Sequence, residues 1–267
     1  MMSPNYSNNN IEKTGAPAVA VDKCRKWYMI FILPAWVLIS FIMAQALAVG
    51  LVYLLSLLNI SLESLNESVA NTIFAALMYV LMLAFAVGLP WLIKRKRVSQ
   101  AEIGLTRLPT WTDILITPAG LIVYLIMSSI LMLIATQLIS LLPWVEINQV
   151  QDVGFNNLSQ RYEYILAFAT LVIIAPIAEE VMFRGYMFGK LLKYVPVWVA
   201  ILITSALFGA IHGQWDLAID TFALSVILCL LRQSTGNIWA SILLHMTKNG
   251  IAFYFLFINP LILTTLG

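Results

Sequence analysis

The feature that most restricts this chain is a succession of uncharged apolar runs, most of them about 20 residues or longer. Twenty residues of α-helix at ~1.5 Å per residue cross the ~30 Å hydrocarbon core of a bilayer. In that solvent no water is available to the backbone, so each run must satisfy its own N–H and C=O groups and is helical. Seven spans can be traced, at residues 28–58, 69–93, 114–142, 164–178, 197–212, 217–231 and 238–258. An eighth follows if one of the long early segments breaks, or if residues 185–194 dip into the membrane. The fourth is short and stops at Glu179. The expectation is an all-α fold, a polytopic transmembrane helix bundle of seven to eight spans. Composition agrees: 61% of residues are hydrophobic and 10% charged, where soluble chains run near half apolar and about a quarter charged.

Charge placement gives an orientation, because loops on the cytoplasmic side are enriched in Lys and Arg. Lys23, Arg25 and Lys26 precede the first span; Lys94, Arg95, Lys96, Arg97 and Arg107 follow the second; Arg184, Lys190 and Lys193 follow the fourth; and Arg232 follows the sixth. All lie on one side if the N-terminus is cytoplasmic. The alternate loops hold Glu63, Glu67, Glu146, Asp152, Asp216 and Asp220, with Arg161 the one basic residue among them. Residues 1–27 read as a disordered polar cytoplasmic tail without the pattern of a signal peptide. Residues 28–160 are N-terminal membrane helices, and 161–267 complete the same single membrane domain. The localisation this predicts is an integral protein of a bacterial plasma membrane, with lipids as neighbours. A net charge of +2, with no interleaving of aromatic and basic residues, excludes nucleic acid as a partner. The two cysteines, Cys24 and Cys229, form no disulfide framework.

Ionisable groups at membrane depth are costly and are functional candidates by default. Three clusters stand out. In Glu179-Glu180-Val181-Met182-Phe183-Arg184, Glu180 and Arg184 are spaced i and i+4 and can pair, while Glu179 is turned about 100° away. Phe208 and His212 form the second cluster, and His245 and Asn249 the third. These are the only two histidines of the chain, and each has a companion four residues away on its own helical face. His245 and Asn249 project from one stripe, as two donors serving a single oxygen atom would. Lys248 is turned away from Asn249 and has no evident partner.

Glu-Glu-x-x-x-Arg at 179–184, Phe-x-x-x-His at 208–212 and His-x-x-x-Asn at 245–249 follow one another on successive membrane segments. In that order they resemble the type II CAAX prenyl proteases, the Rce1-like or CPBP group of intramembrane endopeptidases. The resemblance covers about residues 160–258; the first three spans match only in being hydrophobic. It implies that Glu179 is the catalytic carboxylate and that His212 shares activation of a water molecule with it. It further implies that His245 and Asn249 stabilise the oxyanion, and that Arg184, Glu180 and Phe208 support the site. The implied reaction is hydrolysis of a peptide bond in a peptide or lipidated-peptide substrate; from the spacing of the residues no metal cofactor is expected, with zinc the alternative. The cavity is expected to open toward the cytoplasmic leaflet, because Glu179 ends the fourth span; His212, near the outer end of the fifth, fits that picture poorly.

Other readings of the same residues stand beside this one. Glu180 and Arg184 can be a salt-bridged helix cap, and the histidines and Asn249 can be hydrogen-bonding links between helices. Two histidines and a glutamate can form a three-ligand zinc site, although neither His-Glu-x-x-His nor its inverse occurs. A non-catalytic immunity protein would use the same cavity to bind a peptide. An ion-coupled transporter is disfavoured by the absence of repeats and interrupted helices. Trp198, Trp215 and Trp239 near span ends read as interfacial anchors.

Overall fold

The computed structural model describes residues 27–58, 65–95, 98–141, 155 and 158–259. The polar tail with Lys23, Arg25 and Lys26 lies outside the described residues, as do Glu63, Lys96, Arg97, Glu146 and Asp152. The described residues are all-helical. We number the helices α1 (Met29–Leu57), α2 (Glu67–Ile93), α3 (Gln100–Ile103), α4 (Trp111–Ile139), α5 (Arg161–Leu191), α6 (Val197–Ala210), α7 (Trp215–Thr235) and α8 (Trp239–Ile258). Six of these are long and apolar enough to cross a membrane, and α6 is a shorter apolar helix. Large apolar side chains such as Phe31, Ile42, Leu115, Leu133 and Ile165 are exposed around the bundle, as a lipid-facing surface requires. The chain is an integral membrane protein.

Two apolar clusters divide the interior. One joins α1 and α2 to the C-terminal half of α5 and to α6, through Leu33, Val37, Met82, Phe183, Phe188 and Phe208. The other joins α4 to α7 and α8, through Tyr124, Leu224, Leu228 and Leu244.

The fourth span differs from the expectation. It does not stop at Glu179 but continues as one helix of 31 residues to Leu191, which places Glu179, Glu180 and Arg184 well inside it. A hydropathy reading counts each charge as a stop signal, whereas here an acid and a base neutralise each other along the helix. The helix is underwound into wide π turns at Ala169–Ile174 and Val181–Phe188, a departure common at functional sites. Pro176 follows the first of these. The short α6 has a matching consequence. Its 14 residues rise only ~21 Å at ~1.5 Å each, so a helix starting at the basic end brings the turn carrying His212 short of a full ~30 Å crossing. The difficulty posed by His212 disappears.

The basic segments meet at one end of the bundle. Lys193, just past α5, pairs with Glu102 in α3, which draws the Glu102 carboxyl below its usual range. The Ile238 N–H donates to the Gly104 carbonyl (3.0 Å) and Trp239 Nε1 donates to the Arg107 carbonyl (2.7 Å). Trp239 therefore ties the end of α8 to the loop before α4. At the opposite end, Asn66 Nδ2 donates to Glu163 Oε1 (2.7 Å), joining the starts of α2 and α5. Asp216 and Asp220, assigned above to a loop, are instead the first-turn acid and an interior residue of α7.

Close contact of α6 with α7 positions the His212 turn. A Cβ on Gly209 would come within 2.5 Å of the Ala218 carbonyl oxygen, a backbone atom, whereas one on Gly50 in α1 would meet nothing. Gly209→Ala is therefore expected to destabilise the bundle by about 1–3 kcal/mol through overpacking. Its melting temperature in detergent should fall by several degrees, while Gly50→Ala leaves it unchanged or raises it. Equal melting of the two variants would contradict the close approach.

Candidate active site

Desolvation dictates the centre of the site. Glu180 and Arg184 have no exposed surface, and their charges meet through Arg184 Nη1 and Glu180 Oε1 at 2.8 Å. The same Oε1 lies 2.9 Å from Nδ1 of His245, so one carboxylate oxygen holds a side chain of its own helix and one of α8. Phe208 of α6, fully buried, fills the space around them. Its ring lies 4.3 Å from the Arg184 guanidinium carbon and meets Phe183 edge-on at 4.9 Å. His212 and His245 also pack edge-on against it, at 5.1 and 5.8 Å between ring centres. A cation over an aromatic face gains attraction that grows where water is absent.

Glu179, one residue earlier, faces the other way. Its side chain is 15% exposed and its Oε2 lies 3.8 Å from His245 Nε2. Its Oε1 accepts a hydrogen bond from the Tyr79 hydroxyl of α2 at 2.8 Å. Glu179, His212, His245, Asn249 and Tyr79 all line one cavity of about 200 Å³, which has room for several waters. The cavity's other walls include Leu171 and Ala175 of α5, Leu217 and Thr221 of α7, and Ala252, Phe253, Leu256 and Phe257 of α8. These residues lie toward the ends of their helices opposite the Lys193 and Arg232 end. The cavity thus extends away from the basic loops, not toward them as the truncated fourth span suggested.

The ring nitrogens are oriented by their partners. His212 Nδ1 lies 2.7 Å from the Phe208 carbonyl oxygen, an acceptor, so Nδ1 carries the proton and Nε2 is left with a lone pair. With His245 Nδ1 directed at Glu180, Nε2 is the atom facing Glu179.

Asn249 has a local cause. In the π turn the Ala175 N–H bonds back to the Thr170 carbonyl, five residues earlier. By the same pattern the Leu171 carbonyl would receive its bond from residue 176, but Pro176 has no N–H to give. Asn249 Nδ2 donates to that carbonyl instead, at 2.9 Å, which leaves its second amide hydrogen for the cavity.

The structure therefore brings Glu179, His212, His245 and Asn249 to one cavity, with Glu180, Arg184 and Phe208 behind it. Tyr79 was missed by sequence reasoning; a tyrosine in an apolar run carries little signal. Lys248 has its partner in Asp220, at 3.2 Å. Among the described residues no group of three or more His, Cys, Asp or Glu side chains is arranged to hold a metal ion.

An all-helical membrane bundle with an acid and two imidazoles facing a buried cavity defines a class of membrane protein with an internal polar site. Residues 161–251 match the family described as type II CAAX prenyl endopeptidase Rce1-like. This part of the chain is thus similar to the family that the three motifs resemble. The chain is 33% identical over 98 residues to an uncharacterized 24.3 kDa protein of Escherichia coli, covering 35% of this chain and 45% of that one. It is 30% identical over 94 residues to the membrane-embedded CAAX protease MroQ of Staphylococcus aureus, covering 33% of this chain and 38% of that one. It is 32% identical over 108 residues to the uncharacterized protein YpbD of Bacillus subtilis, covering 40% and 54%. The matched region thus spans about half or less of these relatives' length. No solved structure matches the chain significantly.

Removing one partner of a buried ion pair leaves the other charge uncompensated, at about 3–5 kcal/mol. Arg184→Met is expected to reduce folded protein recovered from membranes sharply, and Glu180→Gln combined with Arg184→Met to recover part of it. Monodispersity and melting temperature in detergent read the difference; a double variant no better than the single one would show that the pairing is not what stabilises this region.

Proposed function

We propose that the chain is an intramembrane endopeptidase that hydrolyses a peptide bond with a water molecule activated by Glu179 and His212. The observation that carries this reading is the opposite fate of two adjacent carboxylates. Glu180 is fully buried and neutralised by Arg184, while Glu179 has no Lys or Arg partner among the described residues and faces a cavity shared with both imidazoles. A relative named a membrane-embedded CAAX protease supports the same reading.

Each side chain then has a role that follows from its contacts. A water between Glu179 and Nε2 of His212 gives up its proton and attacks the carbonyl carbon. Negative charge develops on the carbonyl oxygen, where His245, through its Nε2 side, and the second amide hydrogen of Asn249 are the stabilising groups. The proton taken from water passes to the departing amine as the C–N bond breaks. Glu180 holds His245 through Nδ1, Arg184 holds Glu180, and Phe208 keeps both rings in place. Tyr79 fixes the Glu179 carboxylate. The substrate is a peptide or lipidated peptide that enters from the surrounding lipid. The chain sits in a bacterial plasma membrane with its N-terminus cytoplasmic, so the cavity faces the outer leaflet. No metal ion takes part.

With purified protein in lipid nanodiscs and a pool of membrane peptides analysed by mass spectrometry, Glu179→Ala is expected to abolish cleavage. His212→Ala should lower the rate about 10²- to 10⁴-fold and Asn249→Ala about 10²- to 10³-fold. Retained turnover by a folded Glu179→Ala protein would end the mechanism. Phenanthroline should leave the parent rate unchanged; loss of activity restored by stoichiometric zinc would instead establish a metal enzyme.

A further inference from the structure

A second polar cluster lies against the same cavity. Asp220, inside α7, accepts hydrogen bonds on Oδ1 from the Tyr124 hydroxyl and from Ser128 Oγ of α4, each at 2.6 Å. Its Oδ2 lies 3.2 Å from Nζ of Lys248 on α8. Tyr124 and Ser128 already tie α4 to α7 through Asp220, so the lysine is not needed for that link. Placing an ammonium at membrane depth is costly, and Asp220 engages it through a single oxygen. Lys248 has three N–H donors, and among the described residues Asp220 is its only partner. It also lines the cavity, where it is the single lysine or arginine, one residue from Asn249 and three from His245.

We propose that Lys248, held in position by Asp220, is the residue that binds a carboxylate of the substrate. This rests on the reading of the cavity as a peptide-cleaving site. Lys248 sits about 4.5 Å along α8 from His245 at ~1.5 Å per residue, on the side away from the basic loops. An extended peptide advances ~3.3 Å per residue, so the recognised carboxylate lies a few residues or fewer from the bond that is cut. Glu179, on α5, repels the same group, which orients the chain: carboxylate toward Lys248, scissile carbonyl toward His245 and Asn249, one turn or less away on α8. The ligand chemistry is that of a carboxylate, supplied either by a free C-terminus or by an Asp or Glu side chain.

The test separates these sources and does not require turnover. Glu179→Gln protein in nanodiscs is titrated with four dansyl-labelled pools of nine-residue apolar peptides: C-terminal acid or amide, each with or without one internal glutamate. Pools bearing a carboxylate are expected to bind about tenfold to a hundredfold more tightly than the amide pool lacking one, the range of a charge-assisted hydrogen bond. A preference for the acid over the amide assigns the C-terminus; a preference for the glutamate pools assigns a side chain. Adding Lys248→Gln or Lys248→Met should bring all four pools to equal affinity, and Lys248→Arg should retain the preference. In the parent protein the same preference should enter KM rather than kcat. Equal binding of the four pools, no binding of any, or a preference that survives both neutral variants overturns the proposal. Carboxylate-selective binding by a parent protein that cleaves nothing would keep the Lys248 site and remove the protease reading.

Discussion

A carboxylate and a guanidinium with no exposed surface, in a protein surrounded by lipid, set the conditions for everything near them. Neither charge survives alone in that environment, so Glu180 and Arg184 must stay within contact of each other, and Phe208 must keep water out from around them. Because Glu180 also holds Nδ1 of His245, the pair fixes α8 relative to α5 at the one point where an imidazole has to face Glu179. The polar interior is therefore a frame with a single open side. Charge closes on one face of α5, and the adjacent residue is left to face the cavity.

The backbone of α5 contributes as much as its side chains. A wide turn followed by a proline strands the Leu171 carbonyl, and the strand of polar residues on α8 supplies its donor. Asn249 is thereby anchored through one amide hydrogen without an extra side chain. The same economy governs His212, whose Nδ1 is satisfied by the carbonyl of Phe208 on its own short helix.

Most of the architecture was legible because a bilayer leaves few options: uncharged runs have to be helices, and rare polar residues among them have to be accounted for. The histidines, Asn249 and the Glu-Glu-x-x-x-Arg motif stood out on those grounds. Three things did not. The continuation of α5 to Leu191 was hidden because charges were counted singly, while the helix carries them as a matched pair. Asp220 read as a loop residue for the same reason, since its partners Lys248, Tyr124 and Ser128 come from two other helices. Tyr79 gave no sign at all: tyrosine is an ordinary member of an apolar span, and its contact with Glu179 bridges 100 positions.

Spacing Glu180 and Arg184 one turn apart on a single helix also bears on how the protein enters the bilayer. Each charge inserted alone at the centre of a helix costs about 2.5–3.5 kcal/mol, but these two arrive together and already matched. Their neutralisation does not wait for a later segment to be synthesised. Glu179 differs: its contacts reach Tyr79 on an earlier helix and His245 on the last one, so during biogenesis it is settled only once α8 has been delivered to the bundle.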